Sequence, residues 1–319
     1  MRPASRLIVL VLAAVALAIA VAAAARALRD DAPPPVPLLW KVSDADNDLY
    51  LLGSFHLLRP DDYPLSADVD RAFADAEALV LELSPEEMAS PELGIAMRRA
   101  GQREDGRALR EDLDPALAAK LDAWVEANAG ILRVIGMTPD SLQQSEPWYV
   151  GLHITLIEMQ KLGLDPQLGL DMHMTERARD AGIPASGLEL GSEQIAIFDG
   201  MSREEQRQFL AESLGEAQKA RAEIEALHDA WRRGDDIAMW RDMAVEMRRE
   251  YPELYRRVNV DRNDAWVPKL QRRLDGETQR DTLAVVGALH LIGEDGVVEK
   301  LRAKGYRVER ICSDSGCPR

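Results

Sequence analysis

The chain has two cysteines and five histidines in 319 residues, and each scarcity narrows the choices. Two cysteines exclude a disulfide-stapled scaffold and a cysteine-rich zinc module. They are Cys312 and Cys317, enclosing Ser-Asp-Ser-Gly near the tail. In an oxidising compartment this pair is expected to close a small disulfide loop. Four intervening residues rather than two argue against a redox-active pair. The sequence contains no Gly-x-Ser-x-Gly, no His-Glu-x-x-His and no glycine-rich phosphate loop. The common serine-hydrolase, zincin and nucleotide-binding readings therefore have no support. Positive charge is short too: a net charge of −16 argues against a nucleic-acid surface and against electrostatic hold on anionic lipid.

One long apolar run is present. Leu7 to Ala25 follows Arg2 and Arg6 and ends at Ala25-Arg26-Ala27, the small-x-small form of a cleavage site. Its length also approaches that of a bilayer span, so a cleaved export signal and an uncleaved inner-membrane anchor both fit. The expected organisation is a signal or anchor over 1–27, a Pro-rich linker over 28–37 and one domain over 38–319. That body is expected outside the cytoplasm, in the periplasm or beyond, either soluble or held by residues 7–25.

Within the body, two stretches share a pattern. Leu49-Tyr-Leu-Leu-Gly53-Ser-Phe-His56 and Leu283-Ala-Val-Val-Gly287-Ala-Leu-His290 are each an apolar run followed by Gly-x-x-His. Such a run ending at glycine reads as a buried strand, and ligands of open α/β sheets bind at strand ends. The fold is expected to bring His56 and His290 together. Leu38–Val42, an Asp/Asn-rich turn and Leu49–Gly53 read as a hairpin. Ala78-Leu-Val-Leu-Glu82 reads as another strand, and Ala185–Leu190 as a short one. Thr282–Val286, a helix over Gly296–Lys304 and Tyr306–Ile311 read as a βαβ unit. Long helix-forming runs fill the middle: 85–101, 114–129, 139–162, 171–181, 202–233, 237–250 and 261–274. Trp148, Leu152, Leu156 and Met159 mark the buried face of one of them. The fold class is therefore α/β, a mixed and largely parallel sheet with a helical insertion over about 86–275.

Several residues are candidates for chemistry. Neutral imidazoles at strand ends suit a divalent first-row metal or proton transfer. Glu82 interrupts an apolar strand, and glutamate is seldom buried unless paired; it reads as a metal ligand or general base. Glu189, between Leu188 and Leu190, has a similar setting. Asp171 reads equally as a helix cap and as a site residue. Arg262-Asn263 opens a helix and on composition alone reads as surface. His153 reads as structural, His173 falls on a different helix face from Asp171, and His228 reads as solvated on a charged helix.

Taken in order, these pieces resemble the TraB/GumN/PrgY family, whose animal relatives are the Tiki proteases. The resemblance runs through Leu39-Trp40, Tyr50–His56, Leu79-Val-Leu-Glu82-Leu, Leu142–Trp148 and Gly169-Leu-Asp171. It continues through Leu188-Glu189, Trp231-Arg-Arg-Gly234-Asp235, Arg262–Trp266 and Gly287-Ala-Leu-His290-Leu. Ser54 departs from the more usual Thr and keeps the hydroxyl. The resemblance implies a fold related to erythromycin-esterase and ChaN-like haem-binding proteins. It also implies, from the Tiki branch, a peptidase site using manganese or cobalt, with His56, Glu82 and His290 around a divalent ion; the expected cofactor is Mn, Co or Zn. Arg262 and Asn263 would lie nearby, with Glu189 and Asp171 as further members. A peptide or protein is then the expected substrate. The alternatives are a non-catalytic binder of a signal peptide or haem-like ligand and a periplasmic structural or assembly protein whose histidines are vestigial.

Overall fold

A computed structural model of the chain describes residues 33–215, 217–276 and 280–312. The N-terminal apolar run, its cleavage-like site and Cys317, hence the expected Cys312–Cys317 pairing, lie outside the described residues. Among the described residues no helix is long and apolar enough to cross a membrane.

Six strands form one sheet: β1 (Leu39–Ser43), β2 (Asp48–Ser54), β3 (Ala78–Leu81), β4 (Ala185–Gly187), β5 (Thr282–Gly287) and β6 (Arg307–Arg310). Their order is β4-β3-β5-β2-β1-β6. β2, β5, β3 and β4 run parallel, while β1 pairs antiparallel with both β2 and β6. The expected hairpin is thus present, with Leu39 opposite Leu52 and Ser43 opposite Asp48. The final βαβ unit is also present, but its crossover passes two strands, because β2 and β1 lie between β5 and β6. Every residue of β3 and β5 is buried, as expected of parallel strands covered on both faces.

The helical middle is more broken than its composition suggests. The run over 85–101 divides into Pro85–Met88 and Pro91–Ala100, with Ser84 and Ser90 capping each piece ahead of a proline. Asn128 divides the next run into Pro115–Ala127 and Ala129–Val134. Pro147 starts Pro147–Lys161 afresh after Pro139–Gln143, because the residue before proline avoids the helical region. The long charged helix is two, Arg203–Ser213 and Ala217–Arg232, interrupted at Leu214-Gly215. A helix over Gly191–Asp199 follows β4 where a strand ending was expected to run on to Leu190.

The main core lies on both faces of the sheet and includes Leu51, Val80, Val285, Trp231 and Trp266. Each large apolar side chain buried there contributes about 1.5–3 kcal/mol. Two smaller cores lie among the helices. Helix Pro147–Lys161 sits between them, with Val150, Ile154 and Ile157 in one and Trp148 in the other. Its most buried face is therefore Val150–Ile154–Ile157, while Leu152, Leu156 and Met159 are only half-buried. Packing on two sides replaces the single apolar stripe expected from the sequence.

Candidate active site

The parallel strands β2, β3, β4 and β5 end on the same edge of the sheet, and the segments leaving them carry His56, Glu82, Glu189 and His290. Two helices outside the sheet supply the rest. Helix Leu170–Ala181 docks on the β2 exit through Leu170 N–H to the Phe55 carbonyl (3.1 Å) and brings Asp171 in its first turn. Helix Asp261–Leu274 brings Arg262 and Asn263. It follows directly on a π-helical turn over Arg256–Val260, a local widening often found at functional sites. All seven candidate residues meet in one cluster.

The imidazoles are held alike. His56 Nδ1 lies 3.2 Å from Asp171 Oδ1, which also accepts from Ser54 Oγ at 3.1 Å. His290 Nδ1 lies 2.7 Å from Asn263 Oδ1. Asn263 is fully buried, and its amide donates to the Asp295 carbonyl at 2.8 Å, so its oxygen faces His290 as acceptor. With each Nδ1 committed to an oxygen, both Nε2 atoms face one oxygen of Glu82: 3.8 Å from His56 and 4.0 Å from His290. Glu82 Oε1 also accepts the Gly287 N–H at 2.7 Å.

Arg262 ties the acidic side together. Its Nη2 donates to Glu82 Oε2 and to Glu189 Oε1, both at 2.6 Å, and its Nη1 donates to His290 Nε2 at 2.9 Å. The guanidinium lies 4.7 Å over the Trp266 ring. Glu189 is buried and accepts further bonds from Trp266 Nε1 (3.0 Å) and Gln194 Nε2 (2.8 Å).

The electrostatics follow from these contacts. Burial pushes the Glu82 carboxyl up, but Arg262, aided by the Gly287 N–H, outweighs it and holds the group down at about 2. Burial pushes His290 down to about 3, and neighbouring Arg262 acts in the same direction. His290 is therefore the neutral imidazole, with a lone pair on Nε2. For His56 the surrounding protein opposes protonation, yet the Asp171 carboxylate, with Glu82 behind it, raises the ring to about 9. Half of the His56 side chain is exposed, making it the open side of the cluster.

The two motif glycines do different work. A Cβ on Gly53 would lie 3.1 Å from Leu38 Cβ and 3.2 Å from Ala288 Cβ, so that glycine permits close packing under the site. A Cβ on Gly287 would lie 3.2 Å from Glu82 Oε1, 3.3 Å from His56 Nε2 and 3.4 Å from His290 Cδ2. The missing side chain of Gly287 leaves the space those three residues enclose. Two neutral-capable imidazoles and a carboxylate around such a space fit a divalent first-row ion. The triangle is not closed, however. Among the described residues only Asp48, Asp75 and Asp281 bring three such ligand atoms all within 4.8 Å. His56 and His290 thus stand further apart than that. The aspartate trio sits at the opposite strand ends, where Lys41, Ser43 and Tyr50 already engage it.

Other expectations change. Arg262 and Asn263 are not surface residues: the π turn and Trp266 direct both inward. His228 is not solvated but 3% exposed, its Nε2 lying 2.8 Å from the fully buried Asp62. Asp62 also pairs with Arg232 and accepts the Arg59 N–H at 2.7 Å, which fixes the loop that follows His56. His153 bonds the Tyr149 carbonyl of its own helix, and His173 packs on Tyr63 away from the cluster. Sequence reasoning missed Gln194, Trp266 and Gly287 as members of the site. Trp266 had a signal in its position four residues after Arg262, one helical turn along the same face.

The protein is thus of the open-sheet α/β class, with imidazole and carboxylate groups converging at its parallel strand ends, the edge where such sheets bind ligands. The chain belongs to the TraB/PrgY/gumN family, whose description matches residues 38–310. It is similar to the protein YbaP of Escherichia coli (strain K12), described as uncharacterized. The two are 23% identical over 257 residues, covering 79% of this chain and 87% of the relative. YbaP of Shigella flexneri shows the same identity and coverage.

Proposed function

We propose that this cluster is the active site of a metal-dependent hydrolase acting on peptide bonds, with a divalent ion (Mn, Co or Zn) held by His56, Glu82 and His290. One observation carries the reading. Both imidazoles turn Nε2 toward the same Glu82 oxygen, while Asp171 and Asn263 hold each Nδ1. That is the outer-shell pattern that orients histidine ligands and fixes their tautomer. The ion would supply Lewis acidity, polarising a carbonyl and lowering the pKa of water.

The remaining roles belong to the protein's own groups. Glu189 anchors Arg262, and Arg262 offers N–H donors to negative charge developing on a substrate carbonyl oxygen. Asn263 keeps the His290 lone pair on Nε2. Asp171 does the same for His56 once that ring gives up its proton. If Glu82 stays unligated, its carboxylate is the group positioned to accept a proton from water.

The test is metal content of the full chain beside a His56→Ala/His290→Ala double variant. The expected result is about one ion per chain in the parent and none in the variant. No ion in either after reconstitution with Mn, Co and Zn would overturn the reading and favour a ligand-binding protein.

A further inference from the structure

The cluster already contains a cation in contact with two of the three candidate ligands. Arg262 Nη1 donates to His290 Nε2, the lone pair that ligation requires, and Nη2 donates to Glu82 Oε2. The wide His56–His290 separation lies across the same space. Resting on the metal-site reading above, we propose that Arg262 is a latch: it stands in for the ion and keeps His290 from ligating until a divalent cation displaces it.

The geometry makes such an exchange small. Arg262 holds Glu189 through Nε and Nη2, the Val258 carbonyl through Nη1 and the Trp266 ring through its face. When His290 and Glu82 are surrendered, Glu189, the Val258 carbonyl and the Trp266 ring remain as partners close enough to hold the displaced guanidinium. The charge count agrees. Of the three carboxyl groups, Asp171 faces His56, and Arg262 pairs directly with the other two, Glu82 and Glu189. A guanidinium that moves off Glu82 leaves that carboxylate with room for a divalent ion, while Glu189 keeps the arginine. The affinity of the site is then set by competition between two cations as well as by its donors.

The test uses Co²⁺ as probe, by calorimetry and visible absorption, on wild type, Arg262→Met, His290→Ala and the Arg262→Met/His290→Ala double variant. Losing a charge-assisted competitor should tighten Co²⁺ binding about tenfold or more in Arg262→Met, and that gain should vanish without His290. Equal affinity in wild type and Arg262→Met, or the same gain with His290 absent, overturns the latch and leaves the ion site standing. Failure of the wild type to bind Co²⁺ overturns the hydrolase reading instead. Arg262→Met leaves two buried carboxylates unpaired, so a measurement on the unaltered protein accompanies it. In ¹⁵N-histidine spectra under Zn²⁺ titration, the Nε2 signals of His56 and His290 should move with one midpoint. Saturation of His56 with no movement of His290 overturns the latch.

Discussion

Adding a single methyl group at Gly287 separates the stability of this protein from its chemistry. Gly287 has φ −49° and ψ 134°, values open to an alanine, so the backbone itself resists nothing. The new Cβ would stand 3.2 Å from Glu82 Oε1, 3.3 Å from His56 Nε2 and 3.4 Å from His290 Cδ2. Crowding of that degree costs about 1–3 kcal/mol, offset by about 0.4–1 kcal/mol from the stiffer unfolded chain. Thermal unfolding should therefore fall by no more than about 5 °C. Ion uptake should suffer far more. Metal–nitrogen and metal–oxygen bonds are about 2.0–2.2 Å long, and the methyl occupies the space those bonds would span. Affinity for Co²⁺ or Zn²⁺ should drop by about a hundredfold or more, equivalent to about 3 kcal/mol. Gly53→Ala is the control: its Cβ meets Leu38 and Ala288, so it should lower stability and leave affinity alone. Calorimetric binding and thermal melts on both variants decide the matter. A folded Gly287→Ala protein with wild-type affinity would refute the reasoning.

Two further outcomes follow from buried groups. Asp62→Ala removes the partner of His228 and Arg232 and the acceptor of the Arg59 N–H. Orphaning buried charge should cost about 3–5 kcal/mol in urea unfolding, and a loss under about 1 kcal/mol would show the network to be idle. The Glu82 carboxyl titrates at about 2 when folded against an ordinary 4.5. Because the folded value is the lower, its stabilisation of about 3 kcal/mol is complete above about pH 4.5 and is lost as pH falls toward 2. Glu82→Gln should flatten that part of the stability profile, measured by urea midpoints from pH 5 to 2.5, and an unchanged slope would refute the assignment.

Legibility from sequence tracked how local each signal was. His56 and His290 stand out because histidine is rare here and the same four-residue pattern follows each apolar run. Glu82 stood out because a carboxylate ended an apolar strand. The hairpin and the final strand–helix–strand unit are likewise local patterns, and both are present. Arg262 and Asn263 were not readable from composition, since their burial depends on a π turn and on Glu189, a distant acceptor. The burial of His228 is illegible for the same reason: its partner Asp62 lies far away in sequence, and a charged helix carries no trace of it. Helix breaks at Pro91, Asn128, Pro147 and Gly215 were local signals outweighed by the strong helix-forming composition around them. The strand order was beyond local reading altogether, because pairing across hundreds of residues leaves no periodic trace.

That order has a consequence for how the protein comes into being. β2 and β3 are neighbours in sequence, yet β5 lies between them. A ribosome delivers His56 and Glu82 early, on strands whose shared partner has not yet been made. Until Thr282–Gly287 arrives, the two strands have an empty slot between them, and the second histidine, His290, comes later still. Such late, long-range closure is slow to fold and leaves strand edges open meanwhile. A growing chain cannot assemble this cluster, and its earlier strands keep open edges until β5 takes its place between them.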